Sequence, residues 1–194
     1  MSLNTKRNEK VSSIALHTYV ALLRAINVGG KNIIKMDALR DEFEKMGFLS
    51  IKTYIQSGNV IFQSDMTNKT KIEQKIEKAL AARFSYDAKV LIRSKLEMKN
   101  TIAHFPQIFE NSDWKHNVIF LCSTIDSKAT LQRFETKKDI EQIFYHDGVL
   151  YWSAQLDQIA KSTMLKLSTR PEYKETTIRN INTTKKIFEL MIND

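Results

Sequence analysis

The chain has very little of what holds small or secreted proteins together. Only one of its 194 residues is a cysteine, Cys122, so no disulfide framework can form. That cysteine lies in the apolar run VIFLC, where it is expected to be a small core residue. No apolar run is long enough to span a membrane and no signal-peptide pattern opens the chain, so we expect a cytoplasmic protein without a membrane partner.

Residue patterns that carry chemistry are equally sparse. The histidines lack metal-ligand spacing such as H-x-x-x-H, so no metal site and no cofactor is predicted; they are His17, His104, His116 and His146. Neither nucleotide-binding pattern, G-x-x-x-x-G-K-[ST] or G-x-G-x-x-G, is present. No pair of carboxylates stands out for acid–base work. The sequence therefore names no catalytic residue and leaves open whether the protein is an enzyme.

Positive charge is concentrated in the first half. Residues 1–95 hold 17 Lys and Arg against 9 Asp and Glu, whereas residues 96–194 hold 13 of each. This asymmetry favours an anionic partner for the first half. The cations are mainly lysine, 22 against 8 arginines, and lysine-rich surfaces often serve only to solvate a protein. Both interpretations of the charge stay open at this point.

Residues 18–95 read as one α+β unit. Hydrophobic periodicity, caps and turns predict the order strand, helix, strand, strand, helix, strand over residues 18–27, 37–46, 51–56, 59–64, 70–84 and 88–94. Asp37 is expected to cap the first helix and Thr70 the second. The order is that of a ferredoxin-like unit. The polar residues 1–17 that precede it are predicted to be disordered.

The second half repeats this pattern in degenerate form. A capping box at Ser94 starts a linking helix, and a strand over 116–122, a short helix near Leu131 and a hairpin over 140–154 follow. Helical stretches are predicted around 158–168 and 184–192. We therefore predict an α+β fold of two tandem ferredoxin-like βαββα(β) units with C-terminal helices. The second unit, residues 96–194, is predicted as a βαββ unit that ends in helix rather than in a strand.

The stretch RAINVGGKN, residues 24–32, is the strongest candidate for a ligand site. In the predicted topology, the end of the first strand, the start of the first helix and the tip of the second–third hairpin share one edge of the sheet. Glycines allow close backbone approach, and a helix N-terminus attracts anions. The predicted rim has two facing sets, Arg24, Asn27, Gly29, Gly30 and Lys31 against Gln56, Ser57, Gly58 and Asn59.

A plainer interpretation of the same residues is available. Gly29 and Gly30 would only turn the chain out of the strand, while Asn27 and Asn59 would tie loop backbone. The third strand, NVIFQS, also lacks the aromatic pattern of an RNA-recognition motif. The second half is expected to pack on the open sheet face, which further argues against that class.

Two long motifs resemble a known family. YVALLRAINVGGKN and, after the first helix, TYIQSGNVIF resemble an uncharacterised bacterial family, domain of unknown function 1697 (DUF1697). The family's opening reads Y-V-A-L-L-R-G-I-N-V-G-G-K-N, so Ala25 replaces its usual glycine. Lys161 and Ser162 depart from its later Arg-Ser-Lys-Leu. The resemblance runs from about residue 19 to 191 and implies the duplicated α+β architecture, but no established activity.

A third family motif, R-N-W-N-T, adds residues to the candidate site. The sequence RNINT keeps Arg179, Asn180, Asn182 and Thr183, whereas Ile181 replaces the tryptophan and with it any stacking role. Asn182 or Thr183 is expected to cap the last helix beside Arg179. If that helix returns to the same sheet edge, Arg179, Asn180 and Asn182 join the rim.

These observations predict a non-catalytic module that binds a phosphate-bearing ligand, either a nucleotide or a nucleic acid, at the basic rim. Two other classes stay open. One is a structural or partner-binding oligomer, and the other is an enzyme acting on a small anionic metabolite. The sequence does not decide the oligomeric state.

Overall fold

The first strand is buried on both faces, because the second half of the chain covers the face that the helices leave open. The computed structural model describes residues 15–24, 26–27, 32–106 and 113–193. Strand β1 spans His17–Leu23. Its Tyr19 and Ala21 point into one core, while Val20 and Leu22 point into another. This alternation is the period-two pattern of a strand between two layers.

The first half contains one four-stranded antiparallel sheet and two covering helices. Its further elements are α1 Met36–Lys45, β2 Leu49–Tyr54, β3 Asn59–Ser64, α2 Lys69–Phe84 and β4 Val90–Ser94. The strand order is β2-β3-β1-β4, with β3 between β1 and β2 as the sequence predicts. The end of β1 therefore lies beside the turn that joins β2 to β3.

The second half repeats this sheet. Helix α3, Lys95–Ala103, leads to it. The strands are β5 Trp114–Leu121, β6 Glu141–His146, β7 Val149–Gln155 and β8 Thr176–Asn180, and helix α4, Ile181–Ile192, follows. Their order is β6-β7-β5-β8, the same as in the first sheet. The predicted α+β fold is confirmed in its main features, with two four-stranded antiparallel sheets and helices.

The prediction that the second unit ends in helix rather than in a strand is wrong. β8 fills the place of a fourth strand beside β5, and α4 comes after it. Short 3-10 helices replace the α-helices of the first half, at Lys128–Arg133, Ile159–Lys161, Thr163–Thr169 and Pro171–Glu175. The helix predicted over 158–168 is thus two 3-10 segments.

Three apolar cores fill the spaces between the layers of sheet and helix. The outermost core of the first half lies between its sheet and helices α1 and α2, where Phe43 and Ile76 are fully buried. The central core joins the inner faces of both sheets through residues such as Ile61 and Phe120, with α3 and α4 contributing. The third core lies between the second sheet and its 3-10 segments. The open face of the first sheet is therefore covered by the second half, as expected.

Two predicted helix caps are wrong. Lys35 is the N-cap of α1, and Asp37 lies in the first turn. Asn68 caps α2 by accepting the Lys71 amide, so Thr70 is already inside the helix.

Among the described residues, no helix is long and apolar enough to cross a bilayer. Residue boundaries between the two units remain a prediction.

Candidate functional site

A cavity of about 400 Å³ opens where strands β1 and β8 end. Three separate stretches of chain line it: the end of β1, the β2–β3 turn, and the segment that runs through β8 into α4. The lining residues are Leu23, Arg24, Ile26, Asn32, Ser57, Tyr173, Thr176, Thr177, Ile178, Arg179, Asn180 and Thr183. Segments more than 150 residues apart in the chain thus meet at one corner of the molecule.

The structure brings together some of the predicted rim residues and not others. Arg24, Ser57, Arg179 and Asn180 line the cavity. Asn182 is exposed in the first turn of α4 and does not belong to the lining. Gly29, Gly30 and Lys31 lie outside the described residues. Four other predicted residues are not part of the lining and instead hold the backbone beside the cavity; they are Asn27, Gln56, Gly58 and Asn59.

Arg24 is a cation without a partner carboxylate among the residues that the structure describes. Its guanidinium lies 5.3 Å from the centroid of the Tyr173 ring and donates to the carbonyl of Lys174. No carboxylate of the described residues forms an ion pair with it. The main-chain N–H of Arg24 donates to the Lys89 carbonyl at 2.9 Å, which fixes the start of the loop. The aromatic ring and one carbonyl therefore orient a charge that remains unneutralised within the described chain.

Arg179 has a different role, because its donors are used inside the protein. Nη2 donates to the carbonyls of Leu23 at 2.9 Å, Ser57 at 3.1 Å and Gly58 at 3.3 Å. Nε donates to the side-chain oxygen of Asn59 at 2.5 Å. Burial lowers the pKa of Arg179 to about 10, so the group stays protonated at neutral pH. Arg179 fastens β8 to the strand end and hairpin of the other half.

The two asparagines tie loop backbone, as the plainer interpretation expects. Asn27 donates from Nδ2 to the carbonyls of Ile34 at 3.0 Å and Gln56 at 2.9 Å, and its Oδ1 accepts the Ile34 N–H at 2.7 Å. Asn59 is fully buried and donates to the Tyr54 carbonyl at 3.0 Å. Both amide side chains are thus engaged within the protein: Asn27 holds the loop after β1 against the β2–β3 turn, and Asn59 holds that turn against the end of β2.

Gly58 permits the close approach of the hairpin to β1. Its φ is +76°, and an added Cβ would lie 2.8 Å from Leu23 Cβ and 2.9 Å from the Ile26 side chain. No other residue fits there without displacement of the core. The carbonyl of Gly58 also accepts the Leu23 N–H at 2.8 Å, which closes the corner.

The N-terminus of α4 faces the cavity. Asn180 caps this helix by accepting the Asn182 N–H at 2.8 Å. The prediction that Asn182 or Thr183 is the cap is therefore wrong. Asn180 and Thr183 both line the cavity. The aligned peptide dipoles of a helix of this length give its N-terminus a partial positive charge. The corner therefore combines the end of a helix with the guanidinium of Arg24.

Several lining residues were missed in the sequence. Four of them lie in the stretch before α4, for which the sequence patterns predict no helix or strand; they are Tyr173, Thr176, Thr177 and Ile178. The β-branched run Thr176–Ile178 after Pro171 is a strand signal in the sequence.

Among the described residues, no group of three His, Cys, Asp or Glu side chains is arranged to hold a metal ion.

Comparisons with known proteins agree with this fold. A conserved bacterial protein from Streptococcus pneumoniae of known structure has 27% sequence identity and a TM-score of 0.80, over 91% of this chain and 99% of that chain. The comparison with curated proteins finds no match. Residues 16–151 match the family described as "Protein of unknown function (DUF1697)". This match covers more than half of the chain, and the chain belongs to that family of proteins of unknown function.

Proposed function

We propose that this protein binds a phosphate-bearing ligand in the cavity between the end of β1 and the start of α4. The observation that carries the proposal is that Arg24 and the N-terminus of α4 line the same cavity. An arginine fork and a helix N-terminus are both common ways of holding phosphate oxygens in proteins. Their effects add, because both favour negative charge in the same space.

The hydroxyl groups of the cavity suit the same ligand. Ser57, Thr177 and Thr183 line it, and each hydroxyl can donate to a phosphate or sugar oxygen. Leu23, Ile26 and Ile178 give the wall an apolar part, against which a base or a sugar can pack. Polar groups that fix orientation on an otherwise apolar wall are typical of small-ligand sites.

The size of the cavity favours a small ligand. Sites for small molecules usually measure roughly 300 to 1,000 Å³, and this cavity measures about 400 Å³. A single nucleotide, or one end of a nucleic acid chain, is the ligand class that combines this size with phosphate charge. We therefore propose a nucleotide-sized ligand first.

Binding is favoured over catalysis by the chemistry of the lining. None of the described lining residues is an aspartate, a glutamate or a histidine. General acid–base catalysis works best with a group whose pKa lies near the working pH. With its pKa of about 10, Arg179 remains a cation near neutrality. The cavity is better suited to hold an anion than to move a proton.

Calorimetric titration with inorganic phosphate and with ATP tests the proposal. Arg24→Ala should weaken binding by roughly tenfold or more, because it removes a charge-assisted hydrogen bond. The double variant Arg24→Ala with Lys31→Ala should weaken it further. Lys78→Ala is the control, since Lys78 is an exposed cation on α2. This helix covers the face of the first sheet that is turned away from the second half of the chain. Unchanged affinity in Arg24→Ala, or no binding by the natural protein, would contradict the proposal.

A further inference from the structure

The two halves of the protein end their fourth strands in the same way. β4 ends in Ile92-Arg93-Ser94 and β8 ends in Ile178-Arg179-Asn180. In both cases the last residue is the N-cap of the helix that follows. Each arginine also donates to the carbonyl just before it, at 3.1 Å for Arg93 and 2.8 Å for Arg179.

Each arginine reaches into the opposite half, and the contacts correspond. Arg93 Nη2 donates to the Leu121 carbonyl at 2.6 Å and the Gly148 carbonyl at 3.1 Å. Leu121 ends β5 and Gly148 turns the β6–β7 hairpin. Within that corner, the Leu121 N–H donates to the Gly148 carbonyl at 2.9 Å.

The other corner has the same construction. Arg179 donates to the carbonyls of Leu23 and Gly58, and the Leu23 N–H donates to the Gly58 carbonyl at 2.8 Å. We call the surroundings of Arg93, Ser94, Glu97, Leu121 and Gly148 the α3 corner. The surroundings of Arg179, Asn180, Thr183, Leu23 and Gly58 are the α4 corner. The two corners are equivalent positions of an internally duplicated fold.

The α3 corner contains a carboxylate of its own. Glu97, three residues after the cap, accepts the Ser94 N–H at 2.8 Å and the Ser94 hydroxyl at 2.7 Å through Oε2. Its Oε1 accepts from Lys69 Nζ at 2.5 Å. Burial opposes ionisation of Glu97, but the hydrogen bonds from Lys69 and Ser94 outweigh burial and lower its pKa. At neutral pH, an anion thus occupies the N-terminus of α3, and a lysine neutralises it.

The α4 corner differs at the matching position. Thr183, also three residues after its cap, is uncharged and lines the larger cavity of about 400 Å³. The cavity at the α3 corner measures about 300 Å³, and Glu97, Asp126 and Asp147 are among its lining residues. The same frame therefore carries acidic side chains at one corner, whereas the lining described at the other has none.

We propose that the residue three positions after each cap decides which corner takes an external anion. Glu97 supplies the α3 corner with its own carboxylate. The α4 corner, where Thr183 takes the place of Glu97, binds a phosphate from solution at the position that corresponds to the Glu97 carboxylate. This inference rests on the proposed function and adds two points to it. It locates the phosphate within the cavity, and it allows one ligand per chain.

Thr183→Glu tests this directly, because it gives the α4 corner the residue found at the α3 corner. Thr183→Gln is the matched variant, with the same side-chain size and no charge. Titration with inorganic phosphate should show Thr183→Glu binding roughly tenfold or more weakly than Thr183→Gln, because a fixed carboxylate repels an anion at short range. The natural protein should bind one phosphate per chain.

Thermal unfolding separates loss of the site from loss of the fold. Thr183→Glu should unfold at a temperature no lower than Thr183→Gln, because a carboxylate is favourable in the first turn of a helix. Equal phosphate affinity of the two variants, with binding by the natural protein intact, would overturn this inference and leave the proposed function standing. Absence of phosphate binding by the natural protein would overturn both.

Discussion

The side-chain oxygen of Asn59 accepts a hydrogen bond from Arg179, a residue 120 positions later in the chain, at 2.5 Å. Asn59 is completely buried at the start of β3, and its amide group also donates to the Tyr54 carbonyl. One interaction thus connects the hairpin of the first half to the last strand of the second. The candidate site forms around this connection, so it depends on both halves being docked.

Arg179→Lys should destabilise the protein considerably. The lysine ammonium cannot reach the set of acceptors that the guanidinium satisfies, and buried acceptors would be left unpaired. We expect a loss of about 2 kcal/mol or more in the free energy of unfolding, measured by urea denaturation. Arg83→Lys is the control, because Arg83 forms a partly exposed ion pair with Glu42 at 2.8 Å. It should cost less than about 1 kcal/mol. Equal losses in the two variants would contradict the role given to Arg179.

Gly58→Ala and Gly47→Ala separate steric crowding from backbone strain. Both glycines have positive φ, +76° and +81°, so both alanines bear a strain of about 1 kcal/mol. Only at position 58 would the new Cβ meet other atoms, at 2.8 Å from Leu23 Cβ, since nothing lies within 4 Å at position 47. Gly58→Ala should therefore lower the free energy of unfolding by about 1 to 3 kcal/mol more than Gly47→Ala. Equal effects would mean that the hairpin does not need this close approach.

The first half could be predicted well because its signals are local and mutually consistent. The apolar run of β1, the turn at Gly58 and the alternation in the strands each indicate the same element order, and the observed sheet has it. The juxtaposition of Arg24 with Ser57 followed from topology alone. Caps were less predictable, because several residues near a helix start can accept its N–H groups, and tertiary packing decides which one does.

The second half and the roles of the site residues were harder to predict. β8 is five residues long and follows 3-10 segments, so no helical period marks the crossover that leads to it. Whether Arg179 binds a ligand or fastens the fold depends on which carbonyls surround it, and those come from segments more than 100 residues away. Long-range contacts of this kind leave no periodic trace in one sequence.

The salt dependence of oligonucleotide binding should be shallow if the cavity is the site. One corner of about 400 Å³ can neutralise one or two phosphates. For a short single-stranded oligonucleotide, log K plotted against log salt should then have a slope of about −0.7 to −1.4. Fluorescence anisotropy with a labelled oligonucleotide at several salt concentrations measures this slope. A much steeper slope would mean that the lysine-rich surface of the first half binds nucleic acid along its length.

Protonation of Glu141 should make the protein less stable below about pH 4.3, the pKa of a free glutamate. This carboxylate is only 2% exposed and accepts hydrogen bonds from the Thr163 N–H at 2.6 Å, the Thr163 hydroxyl at 2.8 Å and the Lys137 N–H at 2.9 Å. The Ser162 hydroxyl is a further donor. Burial opposes ionisation, but these hydrogen bonds outweigh it and lower the pKa of Glu141.

The direction of the pH effect follows from that lowered pKa. The unfolded chain binds the proton more readily, since a free glutamate has a pKa of about 4.3. The stabilisation is complete above that value and is lost as the pH falls through the lower pKa of the folded state. Urea denaturation should therefore show Glu141→Gln to be less stable than the natural protein at pH 7, with the gap narrowing towards pH 3. Glu135→Gln, at an exposed carboxylate, should show no such gap. A difference for Glu141→Gln that is the same at both pH values would mean that the amide disturbs the packing rather than the charge.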